Sequence, residues 1–300
     1  MNGRDLRTRI QNGVFLLDGA MGTQLFARGA EPGKCNDRLN VEAPEMVLDI
    51  HRAYFEAGSD AVLTNTFGAN RYALARHGYA GKSFEISRAG AQVARKAAGD
   101  TRYVLGDIGP TGDFLEPLGT LRAEEVREAF AEQARGLGAG GVDGFIIETM
   151  TALDELALAI EAVQSVGSGL PVFASMSFDK GGAGFRTMMG VDVPAAVTKM
   201  AALGVDAVGF NCGTASLEEY IELAQAYVAA AQATGKTVHV FAEPNAGKPE
   251  LVEGEAVYRV APQEFAAACD QIHQAGIRIL GGCCGTSPPH LRAVAETLRA

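Results

Sequence analysis

Eight short runs of strand-forming residues, separated by longer stretches with helical periodicity, constrain the fold of this chain more than any other feature. The runs are Phe15–Asp18, Ala61–Asn65, Tyr103–Asp107, Gly144–Glu148, Val172–Ser175, Ala207–Asn211, Val238–Glu243 and Ile277–Gly281. Most are almost continuously apolar, as parallel strands covered on both faces must be, and the intervening segments are long enough for crossover helices. Pro44–Ala57, preceded by Asn40 and Glu42 and closing near Gly58, reads as one such helix; Leu121–Leu137, which opens on a string of acids, reads as another. The alternation predicts an α/β fold, a single-domain (β/α)8 TIM barrel over residues 1–300. An open doubly wound sheet is the competing arrangement. Against it, Asp18-Gly19-Ala20-Met21-Gly22 only loosely suggests a nucleotide loop, and neither GxGxxG nor GxxxxGK[ST] is present. No Pro-rich, Ser-rich or charged linker divides the chain.

Composition narrows the partners. A formal net charge of −10 gives no broad basic footprint, so attraction to nucleic acid or to an anionic membrane is disfavoured. Met1–Asn12 is not followed by the apolar stretch of a signal peptide, and no uncharged apolar run reaches spanning length, so cytoplasmic residence is the expectation. Five cysteines, two of them adjacent, in a chain able to bury a large core read as reduced thiols open to a metal rather than as a disulfide framework.

In a barrel of this kind the site lies at the C-terminal ends of the strands. There the chain places Asp18-Gly19, Thr64-Asn65-Thr66, Glu148-Thr149, Asn211-Cys212, Glu243-Pro244-Asn245 and Gly281-Gly282-Cys283-Cys284. Strands six and eight bring Cys212, Cys283 and Cys284 to one mouth, and Gly281, Gly282 and Gly285 let adjacent cysteines turn toward a common ion. Zn2+ is the metal expected for three soft thiolates, with the fourth tetrahedral position open. Each cysteine taken singly also reads as a small buried packing residue. Cys35 and Cys269 lack the strand-end context and are expected to be structural, and the five histidines form no HxH or HExxH.

Three thiolates leave a zinc complex formally at −1, a weak electrophile that suits a substrate thiol better than water. The reaction that follows is alkyl transfer to sulfur. Asp18 and Glu148 are candidates to hold an amino acid's ammonium, with backbone amides around Gly19, Ala20 and Met21 receiving its carboxylate. Asp18 also reads as a helix cap, and Glu148 as half of a salt bridge. A zinc hydrolase would call for His or carboxylate ligands, and a Schiff-base aldolase for a strand Lys; the chain clusters neither. A non-catalytic zinc- or corrinoid-protein-binding module would keep the fourth position blocked.

With Leu17-Asp18-Gly19-Ala20-Met21-Gly22-Thr23, Thr64-Asn65-Thr66-Phe67-Gly68-Ala69, Asn211-Cys212, Pro244-Asn245-Ala246-Gly247 and Gly281-Gly282-Cys283-Cys284-Gly285-Thr286 in view, the chain resembles the homocysteine S-methyltransferase family over essentially its whole length. The resemblance implies a zinc barrel with Cys212, Cys283 and Cys284 as ligands, homocysteine as the fourth, and Asp18 and Glu148 on the substrate amino group. It is strongest toward the homocysteine-binding domain of cobalamin-dependent methionine synthases. In that branch the Asn of Pro-Asn-Ala-Gly can fill the open metal position without substrate, which assigns that part to Asn245; its other reading is a turn residue. Betaine-using members carry Tyr where this chain has Thr149 and Gly68, which counts against betaine as donor. No room remains in 300 residues for folate and corrinoid domains, so the methyl group is expected on a separate corrinoid protein, as methylcobalamin, or on a small sulfonium such as S-methylmethionine.

Overall fold

The computed structural model describes residues 5–166, 169–252 and 255–299; the other positions of the 1–300 span lie outside the described residues. Each of the eight apolar runs forms a strand: β1 (Phe15–Leu16), β2 (Ala61–Leu63), β3 (Tyr103–Ile108), β4 (Gly144–Met150), β5 (Val172–Met176), β6 (Ala207–Asn211), β7 (His239–Glu243) and β8 (Ile279–Leu280). They pair in parallel in the order β1-β8-β7-β6-β5-β4-β3-β2. Helices follow the strands in turn: α1 (Pro44–Ala57), α2 (Ser83–Ala98), α3 (Ala123–Gly140), α4 (Leu153–Ser165), α5 (Val193–Ala202), α6 (Leu217–Ala233), α7 (Pro262–Gln274) and α8 (Pro288–Leu298). The result is a (β/α)8 barrel. None of the described helices is long and apolar enough to cross a membrane.

Strand alternation sorts the apolar residues into two layers. Phe15, Leu17, Leu105, Ile146, Phe173, Ala207, Phe241 and Ile279 fill the barrel interior, while Leu16, Val62, Val104, Ile147, Val208 and Leu280 face the helices. A short helix, Leu6–Ile10, plugs the floor by adding Leu6 and Ile10 to the interior cluster. Gly209 is required here, because a Cβ would strike the Phe241 ring across the β6–β7 pair. Each fully buried Phe or Leu contributes about 1.5–3 kcal/mol. The lower barrel is therefore a packed apolar plug rather than a pore.

β1 and β2 differ from the other neighbours in sharing no ladder register. The seam is closed instead by one backbone hydrogen bond and by side chains. Asp60 N–H donates to Leu16 O at 2.7 Å, while the Asp60 carboxylate accepts Leu16 N–H at 2.8 Å. Ser59 Oγ donates to Leu17 O at 3.1 Å, and Leu63 N–H donates to the Asp18 carboxylate at 3.1 and 3.2 Å. Asp60 is also the meeting point of Arg9, at 3.1 Å, and Arg299. Truncating it as Asp60→Ala leaves the buried Leu16 N–H without its acceptor and takes the carboxylate from three guanidinium groups, those of Arg9, Arg102 and Arg299. The expected loss is about 2–4 kcal/mol, read as a lower urea midpoint; an unchanged midpoint would mean that the seam does not depend on this carboxylate.

Candidate metal centre

The inward-facing columns of the barrel turn polar as they approach the mouth. Two residues beyond Leu105, Ile146, Phe173 and Phe241, on the same parity, stand Asp107, Glu148, Ser175 and Glu243, all buried. Above them opens a cavity of about 800 Å³, within the ~300–1,000 Å³ usual for small-molecule sites. Asp18, Asp107, Glu148 and Glu243 line it together with Gly19–Met21 and with Cys212, Cys283 and Cys284.

The three strand-end cysteines converge. Their sulfurs lie within 4.8 Å of one another, with Cys212 Sγ 3.9 Å and Cys283 Sγ 4.0 Å from Cys284 Sγ. The backbone explains how neighbours in sequence reach one point. Cys212 has left the strand with φ 56°, and Gly285, at φ 79°, turns the chain just after the pair. A Cβ at Gly285 would overlap the Tyr258 ring, so the turn requires glycine twice over. Cys283 N–H donates to Pro244 O and Ala246 N–H to Cys284 O, both at 2.9 Å, which laces the Pro-Asn-Ala turn to the cysteine pair. Gly282 N–H donates to Asp18 O at 2.9 Å, and Thr286 Oγ1 donates to Cys283 O at 2.7 Å while accepting Ala20 N–H at 3.0 Å. The ends of β1, β7 and β8 are thus bonded into one surface.

Three thiols this close cannot all ionise without a cation. Thiol hydrogen bonds from Cys212 and Cys283 hold Cys284 down at about 3, and contact with the same neighbours, with burial, pushes Cys283 well above the ordinary thiol range. One negative charge is shared where a dication would accept three. A tetrahedral zinc with Zn–S bonds of ~2.3 Å has sulfur–sulfur edges of about 3.8 Å, so the separations fit that ion. Cys35 and Cys269 stay apart from the cluster as buried residues, the latter in the α7 core.

The candidate substrate contacts are also placed. Asp18 is no helix cap: the short helix Met21–Ala27 begins at Ala20 without a side-chain cap, and both Asp18 oxygens accept the seam N–H of Leu63. Glu148 appears in none of the described ion pairs; it accepts from Asn211 Nδ2 and Thr149 Oγ1. Burial raises Glu148 to about 7 and pushes Asp18, Asp107 and Glu243 well above the carboxylate range. Of the three amides considered for a carboxylate, that of Ala20 is engaged by Thr286. Asn245 is fully buried; its Nδ2 donates to Gly213 O at 2.8 Å, and its Oδ1 has no partner among the described residues. Asp107, Glu243, Asn211 and Tyr258 went unassigned by the sequence reading. Strand parity would have found the first three, whereas Tyr258 follows the Glu250–Val252/Glu255–Val257 ribbon and carries no such signal.

Two predictions come from this geometry. Cys284→Ser should retain the far-UV circular dichroism of the parent but lose most bound zinc after dialysis against a weak chelator; full zinc stoichiometry would exclude Cys284 as a ligand. Asp37, on the outer cavity wall, is raised by burial from 3.8 to about 6, so the fold prefers it neutral. That contribution is complete below pH 3.8 and is lost as pH rises through about 6. Asp37→Asn keeps an acceptor for Gly68 N–H. Its stability relative to the parent should therefore be greater at pH 8 than at pH 5 by roughly 1–3 kcal/mol; a pH-independent difference in thermal melts would contradict this.

The comparisons with known proteins agree with this arrangement. The family model for homocysteine S-methyltransferase matches residues 15–298. The methionine synthase of Mycobacterium tuberculosis (strain ATCC 25618 / H37Rv) is 37% identical over 315 aligned positions, covering 98% of this chain and 25% of that protein. The methionine synthase of Mycobacterium leprae is 36% identical with the same coverage. The chain spans about a quarter of the length of these curated relatives. Among solved structures, the metallated form of the homocysteine methyltransferase MmuM from Escherichia coli superposes with TM-score 0.79 at 23% identity, covering 99% of this chain and 100% of that one. Its oxidized form gives 0.78 at 24% with the same coverage. Those two likenesses concern the fold. With a family model spanning the whole barrel and relatives above a third identical along nearly all of it, the chain belongs to the homocysteine S-methyltransferase family.

Proposed function

We propose that this chain is a zinc-dependent homocysteine S-methyltransferase, a homocysteine-binding barrel that gives methionine as product. The observation that carries the reading is the convergence of Cys212, Cys283 and Cys284 on the cavity that also holds the buried carboxylates. Bound zinc would act as a Lewis acid that draws a substrate thiol toward thiolate near neutral pH, and three protein sulfurs leave its fourth tetrahedral position for that thiol.

The chain's own residues do the rest. Asp18 and Glu148 take the ammonium of homocysteine, which draws their raised carboxyls back toward the ionised form. The amide of Met21, in the first turn of its helix and without an intrahelical acceptor, takes the carboxylate together with that of Gly19. In the absence of substrate, Asn245 serves as the fourth ligand, a part supported by its buried and unpartnered Oδ1. The substrate sulfur forms its bond to the methyl carbon as the bond from methyl to carrier breaks; that electron pair leaves on the carrier, and the thiol proton goes to solvent.

The donor we propose is methylcobalamin on a separate corrinoid protein. The resemblance to the homocysteine-binding domain of cobalamin-dependent methionine synthases supports it, and so does the rim of the barrel. Phe26, Phe67, Phe114, Leu118, Met188 and Leu251 are exposed apolar side chains, and each stands on a segment that follows the C-terminal end of a strand. Such a set suits a broad carrier surface better than a small free donor.

X-ray absorption at the zinc edge should change from mixed to all-sulfur coordination when homocysteine is added; an unchanged spectrum would end the thiol-activation reading. Glu148→Gln should raise the homocysteine KM about 10–100-fold, the worth of one charged hydrogen bond. Methyl transfer should be fastest from a methylated corrinoid protein. Faster transfer from S-methylmethionine or betaine would overturn the donor assignment while leaving the thiol chemistry in place.

A further inference from the structure

We infer that Asn211 is a positioning residue that joins the amino-group anchor at Glu148 to the sulfur cluster, so that recognition of the substrate's ammonium and presentation of its sulfur are coupled. The inference rests on the homocysteine reading above. Asn211 closes β6, one residue before Cys212, and is 1% exposed. Each polar atom of its side chain is engaged. Oδ1 accepts Thr149 N–H at 3.0 Å and Ser175 Oγ–H at 2.8 Å. Nδ2 donates to Glu148 Oε2 and to Thr149 Oγ1, the latter at 2.8 Å, and reaches Cys283 Sγ at 3.8 Å. Two donors on one side and three acceptors on the other fix which end of the amide is which.

Backbone strain gathers at the same point. Thr149, at φ 61°, and Cys212, at φ 56°, are the non-glycine residues with left-handed backbone among the described residues. Such residues are strained and persist where the surroundings over-determine them. Asn211 bonds Thr149 through both backbone and side chain, and it is the covalent neighbour of Cys212. One amide therefore holds both strained turns in register across β4, β5 and β6.

The choice of a neutral amide has a chemical consequence. Lys or Arg at this position would neutralise Glu148 and compete with an incoming ammonium. An Asp would repel Glu148 and remove the donor to Cys283. The amide orients the carboxylate while leaving its charge for the ligand. Arrival of the ammonium then redistributes charge on Glu148, and Nδ2 carries that change to the hydrogen bond on the Cys283 sulfur.

The test compares homocysteine with 4-mercaptobutanoic acid, the same thiol without its amino group, by calorimetric titration of the zinc-loaded parent, Asn211→Ala and Ser175→Ala, with zinc affinity measured by chelator competition. In Asn211→Ala, homocysteine should bind about 10–100-fold more weakly, the desamino thiol should change less than about 3-fold, and zinc should be held more weakly. Ser175→Ala removes one support of Asn211 without touching Glu148 or a thiol, and it should repeat the same selectivity at about 2–5-fold even if Asn211→Ala does not fold. Equal losses for the two thiols in the variants would overturn the coupling and leave the homocysteine reading standing. A parent that binds neither thiol would sink that reading and this inference with it.

Discussion

Negative charge buried at the mouth of the barrel is the constraint on which the rest of this structure depends. Cys212, Cys283 and Cys284 line one cavity with Asp18, Asp107, Glu148 and Glu243, and none of the described ion pairs includes any of these four acids. Burying an ionised carboxylate without a partner is costly enough that the group gives up its charge instead. That is the direction seen at all four positions, with burial as the leading cause. The arrangement is therefore incomplete by design, since each acid and each thiol has more to gain from an arriving cation than from any neighbour it has. A metal dication would satisfy the sulfurs, and on the proposed reading an ammonium would satisfy Asp18 and Glu148.

Such a site needs a scaffold that does not relax around it, and the lower barrel supplies one. Phe15, Phe173 and Phe241 pack with Leu6 and Ile10 into a closed floor. Above that floor, position is set by hydrogen bonds between strand ends rather than by the strands themselves. The backbone of Asp18 receives Gly282, that of Pro244 receives Cys283, and that of Cys284 receives Ala246. The glycines around the cysteine pair are steric necessities of this lacing: a Cβ on Gly282 would strike Thr286, and one on Gly285 would strike Tyr258.

Much of the fold was legible because period-two and period-3.6 patterns are local. All eight apolar runs became strands, and Pro44–Ala57 became a helix with the boundaries expected of it. Terminal strands were overestimated, Phe15–Asp18 shrinking to Phe15–Leu16 and Ile277–Gly281 to Ile279–Leu280, since hydropathy cannot distinguish ladder residues from apolar residues that continue past the ladder. The convergence of the cysteines was legible from strand ends. Glu243 was legible at a strand end but carried no role, and Asp107 was visible as a letter but not as lining, because its importance lies in parity with Leu105 rather than in any motif. The β1–β2 seam was not legible at all. It is made by one backbone bond from Asp60 and by the Asp60, Ser59 and Asp18 side chains acting as substitute strand partners, an arrangement that no propensity encodes.

The same closed floor restricts how a methyl donor can reach the sulfurs. With Leu6 and Ile10 filling the N-terminal end of the barrel interior, approach runs through the mouth, past an outer wall that includes Phe26, Pro32 and Phe67. An amino acid entering this way would reach the buried acids at the strand ends, Asp107, Glu148 and Glu243, which would attract its ammonium. In-line displacement then demands that the methyl carbon come from the opposite side of the substrate sulfur. A small sulfonium would have to follow the substrate into the cavity, where Asp37, Asp107 and Glu243 are the lining acids not assigned to the ammonium. A macrocyclic carrier can remain outside, resting on the exposed side chains of the rim while it presents its methyl group downward. On the proposed reading, the exposed apolar side chains of the rim would give such a carrier a surface to rest on.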